Sequence, residues 1–294
     1  MRGQPGHART GLFQQRLDAG THHGMGHGTS MPPASPAHGR KRPGTTRSVT
    51  SVPVVAVFEA YAELARRVLA GPARLGRTRL VAVDGPSGAG KTAFAARLAD
   101  AVATATQDAV ATATHDAVAT GTHDAIAGGP VVVHTDDLLD GWDDQLTFWN
   151  RLEEGVLAPM RAGQAGTYRR YSWARRRFLP TPVPVSVASV LIVEGVSAAR
   201  AAAAAELTLS VFVTAPQPVR LTRAVVRDGP SILPELRRWH DTERAHFAAD
   251  DTEARADLVV DGAPTLPYDV DRYYLRALRR QGQRRAGDAG YAAR

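Results

Sequence analysis

The sequence predicts an α/β fold, with a five-stranded parallel sheet covered by helices on both faces. Three observations predict it. Short apolar runs alternate along the chain with longer helix-forming segments. The runs are apolar throughout rather than alternating, which is how strands buried on both faces read. The first run, Leu80 to Val83, leads through a glycine-rich turn straight into the helix former Ala93-Phe94-Ala95-Ala96-Arg97-Leu98.

That turn is Gly85-Pro86-Ser87-Gly88-Ala89-Gly90-Lys91-Thr92, the pattern Gly-x4-Gly-Lys-Thr between a strand and a helix. Gly85, Gly88 and Gly90 open backbone angles closed to other residues, so successive N–H groups turn inward around an anion. The positive end of the following helix faces the same point. Lys91 is placed to reach the β- and γ-phosphates of a nucleotide, and the Thr92 hydroxyl to ligate Mg²⁺. Composition points the same way. The chain holds 36 Lys plus Arg, yet Lys41 and Lys91 are its only lysines. A compact ammonium suits a tight phosphate cradle where a planar guanidinium does not.

Length and composition bound the rest. A chain of 294 residues has room for an ample core. With no cysteine, disulfides, thiolate metal sites and cysteine nucleophiles are excluded. No run of 18 apolar residues and no secretory signal is present, so a cytoplasmic protein away from membranes is expected. The net charge of +7 is unevenly spread: +6 on residues 1–50, +6 on 272–294 and −5 on 51–271. The basic charge belongs to the ends, so nucleic acid is not the expected partner.

Residues 1–50 are rich in Gly, Pro, His, Arg and Ser and are expected to be a disordered basic tail; His22, His23 and His27 read as part of it rather than as a metal tract. A folded domain is expected over 51–271. From Val54 to Leu69 apolar residues recur at helical spacing, giving a lead-in helix ended by Gly71-Pro72. After the glycine turn and its helix comes an eight-residue repeat over 100–127, with near copies starting at Asp100, Asp108 and Asp116 and a truncated one at Asp124. It reads as an alanine-rich helical extension inserted at the surface.

Val131 to His134 is the second strand and ends in Asp136 and Asp137. Residues 138–180 are aromatic and arginine-rich, with Trp142, Trp149, Trp173, Tyr168, Arg169, Arg170 and Tyr171; Leu146 to Leu157 within them reads as a helix. The proline-rich Pro180–Pro184 segment leads to the third strand, Val190 to Val193, which ends in Glu194-Gly195. A short helix over Ala198–Glu206 and a fourth strand over Leu207–Thr214 come after it. Gln217 to Arg227 is a helix with arginines at 220, 223 and 227. A helical segment over 231–256 and the fifth strand, Ala256 to Asp261, come next. A basic helix from Asp269 to about Gln283 closes the chain before a frayed end.

Catalytic groups of open α/β sheets collect at the carboxyl ends of the strands. Asp84, Asp136, Asp137 and Glu194 fall there. Asp84 either serves the chemistry or caps the turn. Asp136 is the candidate proton acceptor for an attacking hydroxyl. Asp137 is better placed to cap the turn at this strand end or to lie in the outer magnesium shell. Glu194 ends an apolar strand, where a carboxylate needs a partner; Mg²⁺ or a magnesium-bound water is the natural one.

Taken together, these residues resemble the uridine kinase and phosphoribulokinase branch of P-loop kinases over roughly 78–262, the repeat excepted. The loop 85–92 looks like the family's phosphate loop, and His134-Thr-Asp-Asp137 like the strand end with its catalytic aspartate, Asp136 taking that place. Tyr168-Arg-Arg-Tyr171 resembles the element lining the acceptor pocket, and Leu191-Ile-Val-Glu-Gly195 the strand ending in Glu-Gly. Arg220-Leu-Thr-Arg223 with Arg227-Asp228 resembles the lid. Asp140-Gly-Trp-Asp-Asp144 stands where uridine kinases carry an acidic and aromatic acceptor motif.

The resemblance implies a three-layer P-loop sandwich with a helical lid and acceptor-binding insertions. It also implies an ATP- and Mg²⁺-dependent kinase acting on a hydroxyl of a small molecule, a nucleoside by preference. Lys91, Asp136, Arg223 and Arg227 would carry catalysis. Asp136, Trp142, Tyr168, Arg169 and Tyr171 would hold the acceptor, and Thr92 and Glu194 the metal. A nucleotide-binding regulatory ATPase and a nucleic-acid-associated ATPase are the competing classes.

Overall fold

In the strand after residue 78, Val81 and Val83 pack into one apolar cluster while Leu80 and Ala82 pack into another. Val190 and Ile192 divide from Leu191 and Val193 in the same way. Alternate side chains of a strand point to opposite faces, so both faces of this sheet are covered. The computed structural model describes residues 57–117 and 129–277. The expectations for residues 1–50, for the end of the repeat and for the C-terminal tail lie outside them.

The elements run β1 (Val57–Ala60), α1 (Tyr61–Ala70), β2 (Arg79–Asp84), α2 (Lys91–Ala117) and β3 (Val131–His134). Tight turns at Thr135–Asp137 and Trp142–Asp144 lead to α3 (Trp149–Leu152), a π turn (Glu153–Leu157) and α4 (Ala158–Arg161). Then come β4 (Gly166–Ser172), β5 (Arg177–Val185), β6 (Val190–Glu194) and β7 (Leu207–Thr214). The chain continues through α5 (Gln217–Asp228), α6 (Leu233–Asp250), α7 (Thr252–Arg255), β8 (Leu258–Asp261) and β9 (Tyr273–Arg276).

The main sheet has the order β1-β9-β8-β7-β2-β6-β3. Its five strands β8-β7-β2-β6-β3 are parallel, and β9 and β1 add an antiparallel edge on the β8 side. One cluster joins α1 and α2 to the sheet through Tyr61, Leu64, Phe94, Leu98 and Val102. The other joins the opposite face to Phe148, Leu152, Val156, Met160 and Trp239. Three layers result, as expected.

Several local readings are corrected. The lead-in helix begins only at Tyr61, because Val57–Ala60 pairs with β9. The basic helix expected from Asp269 is replaced by strand β9. There Tyr274 packs among Tyr61 and Phe94, and Arg276 forms an ion pair with Glu59 at 2.9 Å. Those partners lie about 200 residues upstream, beyond any local window.

The Pro180–Pro184 stretch, read as leading to the third strand, is itself part of β5, which forms a two-stranded ribbon with β4. Its prolines fall at every second position, so the missing N–H groups all face the ribbon's unpaired edge. The helix expected over Leu146–Leu157 begins at Trp149 and runs on through the π turn to Arg161. That expected over Ala198–Glu206 shrinks to a single 3₁₀ turn, Ala201–Ala203. The repeat does extend α2, to Ala117, but Val102 in its first copy is fully buried in the core rather than on the surface.

Candidate active site

The carboxyl ends of β2, β6 and β3 lie side by side, with Val83 paired to Glu194 and His134 paired to Glu194 from the other flank. The loop after β2 is fixed by Asp84. Its buried carboxylate accepts N–H bonds from Gly85 at 2.7 Å, Ser197 at 2.9 Å and Ala199 at 2.8 Å. Burial pushes its pKa up to about 6, against those donors and the nearby Lys91 charge. Asp84 is thus a knot between two loops.

Gly85, Gly88 and Gly90 have φ of +134°, +78° and +106°. A Cβ on Gly85 would lie 2.1 Å from the Val213 carbonyl oxygen, and one on Gly88 2.6 Å from that of Arg220. The loop can therefore be built only with glycine at these points. It delivers the chain to the N-terminus of α2. Lys91 is buried there, with Nζ donating to the Pro86 carbonyl at 3.2 Å.

One residue on, Thr92 Oγ1 donates to Glu194 Oε1 at 3.0 Å. The same oxygen lies 2.5 Å from His134 Nδ1. Burial opposes charging that ring. The bond to Glu194, its charge, and the charges of Asp137 and Asp136 outweigh burial and raise the His134 pKa. Sequence reasoning did not single out His134, although its cross-strand pairing with Glu194 becomes evident once β3 and β6 are neighbours.

A hydroxyl and a carboxylate are hard oxygen donors that suit a magnesium ion keeping most of its shell as water and phosphate oxygens. Among the described residues no group of three or more His, Asp or Glu is arranged to hold a metal alone.

Asp136 and Asp137 form the turn after β3 and are separated in role by their contacts. Asp137 accepts from the Tyr168 hydroxyl at 3.3 Å. Asp136 is exposed as a residue, yet the protein around its carboxyl desolvates it. That desolvation raises its pKa, helped by the Glu194 charge and opposed by Lys91, Arg227 and His134.

Of the other expected residues, Trp142, Tyr171 and Tyr168 gather around this turn. Phe178, Tyr171, Trp173, Trp142 and Trp239 form a row of rings with successive centroids 5.3 to 5.7 Å apart. Trp173 Nε1 donates to the Asp136 carbonyl at 3.2 Å, which ties the row to the turn. Trp239 enters from α6, far away in sequence, and no local signal marks it. Arg169 lines a cavity of about 370 Å³ with Leu138, Arg151, Glu154, Tyr168 and Phe178, the last of these being the end of the row.

The arginines of α5 divide as well. Arg223 donates to the carbonyls of Gly88 at 3.1 Å and Gly262 at 2.9 Å, so it braces the carbonyl side of the loop. Arg227 bonds Asp228 and lies within electrostatic reach of Asp136. Arg220 donates to the Ser87 carbonyl at 3.2 Å and pairs with Glu243.

A glycine loop joining a buried parallel strand to a helix N-terminus, with carboxylates on the adjacent strand ends, defines a P-loop protein. The sequence matches the pattern of the Phosphoribulokinase / Uridine kinase family over residues 80–232, just over half of the chain, and the protein belongs to that family of kinases.

Solved structures similar to it include one described as a possible uridine kinase from Bacillus stearothermophilus, 17% identical with a TM-score of 0.44, covering 68% of this chain and 96% of that one. Another, from Silicibacter sp., is described as a proposed fructose transport system kinase; it is 19% identical with a TM-score of 0.39, covering 68% and 98%. No curated protein sequence matches. Among the described residues no helix is long and apolar enough to cross a membrane.

Proposed function

We propose that the protein transfers the γ-phosphoryl group of Mg·ATP to a hydroxyl of a small molecule, with a nucleoside as the preferred acceptor. The observation that carries this reading is Asp136. It stands at the cleft between the strand ends, its basicity raised by desolvation and the Glu194 charge, within the fields of Lys91 and Arg227.

In this reading the N–H groups of Gly88, Gly90, Lys91 and Thr92 and the Lys91 ammonium hold the triphosphate, and Lys91 leaves the Pro86 carbonyl to do so. Thr92 and Glu194 hold Mg²⁺, which when bound neutralises charge on the phosphate oxygens. Asp136 orients the acceptor hydroxyl and takes its proton; a raised pKa makes it a better acceptor than a free carboxylate. Arg227 and Lys91 stabilise charge on the transferring group, the main demand of phosphoryl transfer. Arg223, bonded to the back of the loop, contributes by holding the loop and lid together. Trp173 and Trp142 beside Asp136 are only partly buried and supply rings on which a base can stack, which favours a nucleoside.

The test is ADP release from Mg·ATP over nucleosides, sugars, pantothenate-like alcohols and other small hydroxyl compounds. Nucleoside-stimulated release that disappears in Asp136→Asn is expected. Release equal with and without every acceptor would identify an ATPase instead.

A further inference from the structure

Ser87, third residue of the phosphate loop, has both polar groups of its backbone held by a buried ion pair. Its N–H donates to Glu243 Oε2 at 2.9 Å, and its carbonyl accepts from Arg220 Nη1 at 3.2 Å. That same nitrogen lies 2.8 Å from Glu243 Oε1, so the ring of contacts is closed. The pair comes from two helices, Arg220 from α5 and Glu243 from α6. Glu243 is only 1% exposed.

A buried carboxylate is unfavourable unless it is paired and fully hydrogen-bonded, and packing alone would be served better by a leucine. Here the carboxylate is satisfied by one loop donor and one guanidinium, and the guanidinium returns to the same loop residue. The α5 backbone also lies directly on the loop, as the contact of Gly88 with the Arg220 carbonyl and the bond from Arg223 to Gly88 confirm.

A phosphate loop that must be ordered by its ligand loses affinity in proportion to the fraction of time it is unformed. A loop held from behind does not. We propose that Glu243 and Arg220 are positioning residues that clasp the Ser87 peptide and keep loop 85–92 in its anion-accepting shape before nucleotide arrives. The proposal rests on the kinase reading above. Neither residue needs to touch the nucleotide. Arg220 has a second duty, because it cancels a negative charge held close to where phosphate would bind.

The experiment uses the full chain, with hydrogen exchange of the 85–92 peptide in nucleotide-free protein and Mg·ADP affinity by calorimetry. Glu243→Ala should speed exchange in that peptide at least about tenfold and weaken Mg·ADP by a similar factor. Glu243→Gln keeps an acceptor for the Ser87 N–H and should fall between Ala and wild type; it carries the test if the Ala variant does not fold.

An ordinary buried ion pair would be restored by the swap Glu243→Arg with Arg220→Glu. The clasp would not, because arginine offers the Ser87 N–H no acceptor. Recovery of affinity in the swap, or unchanged exchange in a folded Glu243→Ala or Glu243→Gln protein, would overturn the proposal. So would faster exchange with Mg·ADP affinity unchanged. A wild-type loop that is protected yet binds no Mg·ADP would instead sink the kinase reading, and the purpose of the clasp with it.

Discussion

Thr92 and Glu194 are 102 residues apart in the chain, yet their side chains meet at 3.0 Å across the mouth of the cleft. The bond joins the first turn of α2 to the end of β6 and gathers the two oxygen donors assigned to magnesium. Glu194→Gln removes the charge while keeping the shape. It should raise the Mg²⁺ concentration for half-maximal turnover on the order of tenfold or more. A magnesium titration that does not move would remove Glu194 from the metal site.

Lys91 sits with its ammonium folded onto the Pro86 carbonyl, within the loop it is expected to serve. Lys91→Ala should lower phosphoryl transfer on the order of 10²-fold or more. Lys91→Arg should recover little, since a planar fork does not fit a cradle shaped for a point charge. Turnover at wild-type rate in a folded Lys91→Ala protein would rule out the assigned loop.

The two carboxylates after β3 should separate cleanly. Asp136→Asn keeps its shape and loses a proton acceptor, so turnover should fall by roughly 10²–10⁴-fold with nucleotide affinity nearly unchanged. Asp137→Asn weakens the bond from Tyr168 and removes a charge near His134; it should cost about 1 kcal/mol of stability, with a small effect on rate. If Asp137→Asn is the inactive variant, the assignment is off by one residue.

Asp84 gives a pH signature. Its folded pKa of about 6 lies above the ordinary aspartate value of 3.8, so between these pH values the folded state holds the proton more tightly. Stability from this group is full below about pH 4 and declines as pH rises through 6. The neutral Asp84→Asn protein lacks the trend. The melting temperature of wild type should therefore lose ground to that of Asp84→Asn from pH 4 to 6, then run parallel to it up to pH 8. A constant difference across the range would show that Asp84 stays ionised when folded.

The repeat divides at a definite place. Val102 is fully buried and Ala105 packs against the same cluster, whereas Val110 is 48% exposed. Replacing residues 108–127 by a short glycine-containing turn should shift stability by less than about 1 kcal/mol, because surface loop length matters little. Val102→Ala should cost about 1–3 kcal/mol. A large loss on the deletion would mean that the outer copies pack on the domain.

The parallel core was legible in the sequence because each of its strands carries its own signal. β-Branched runs, the glycine loop and terminal carboxylates lie within a few residues of one another. Asp136 and Glu194 could be picked out for the same reason. The features that stayed hidden depend on distant partners. Tyr273–Arg276 is a strand because Val57–Ala60 lies beside it, and a basic stretch near a chain end reads locally as a helix. The prolines of β5 argue against a strand unless the ribbon is known to have a free edge. Glu243 and Trp239 sit on a helix with a mixed surface, and nothing in their neighbourhood reveals that one reaches the loop and the other the aromatic row.

The pairing of Val57 with Arg276 means that the described domain begins and ends at one corner of its sheet. The same adjacency makes residues 57–276 a natural cassette. A short linker could join its ends and new termini be opened in a surface loop, or the whole unit be set into a host protein with little separation of the host's cut ends.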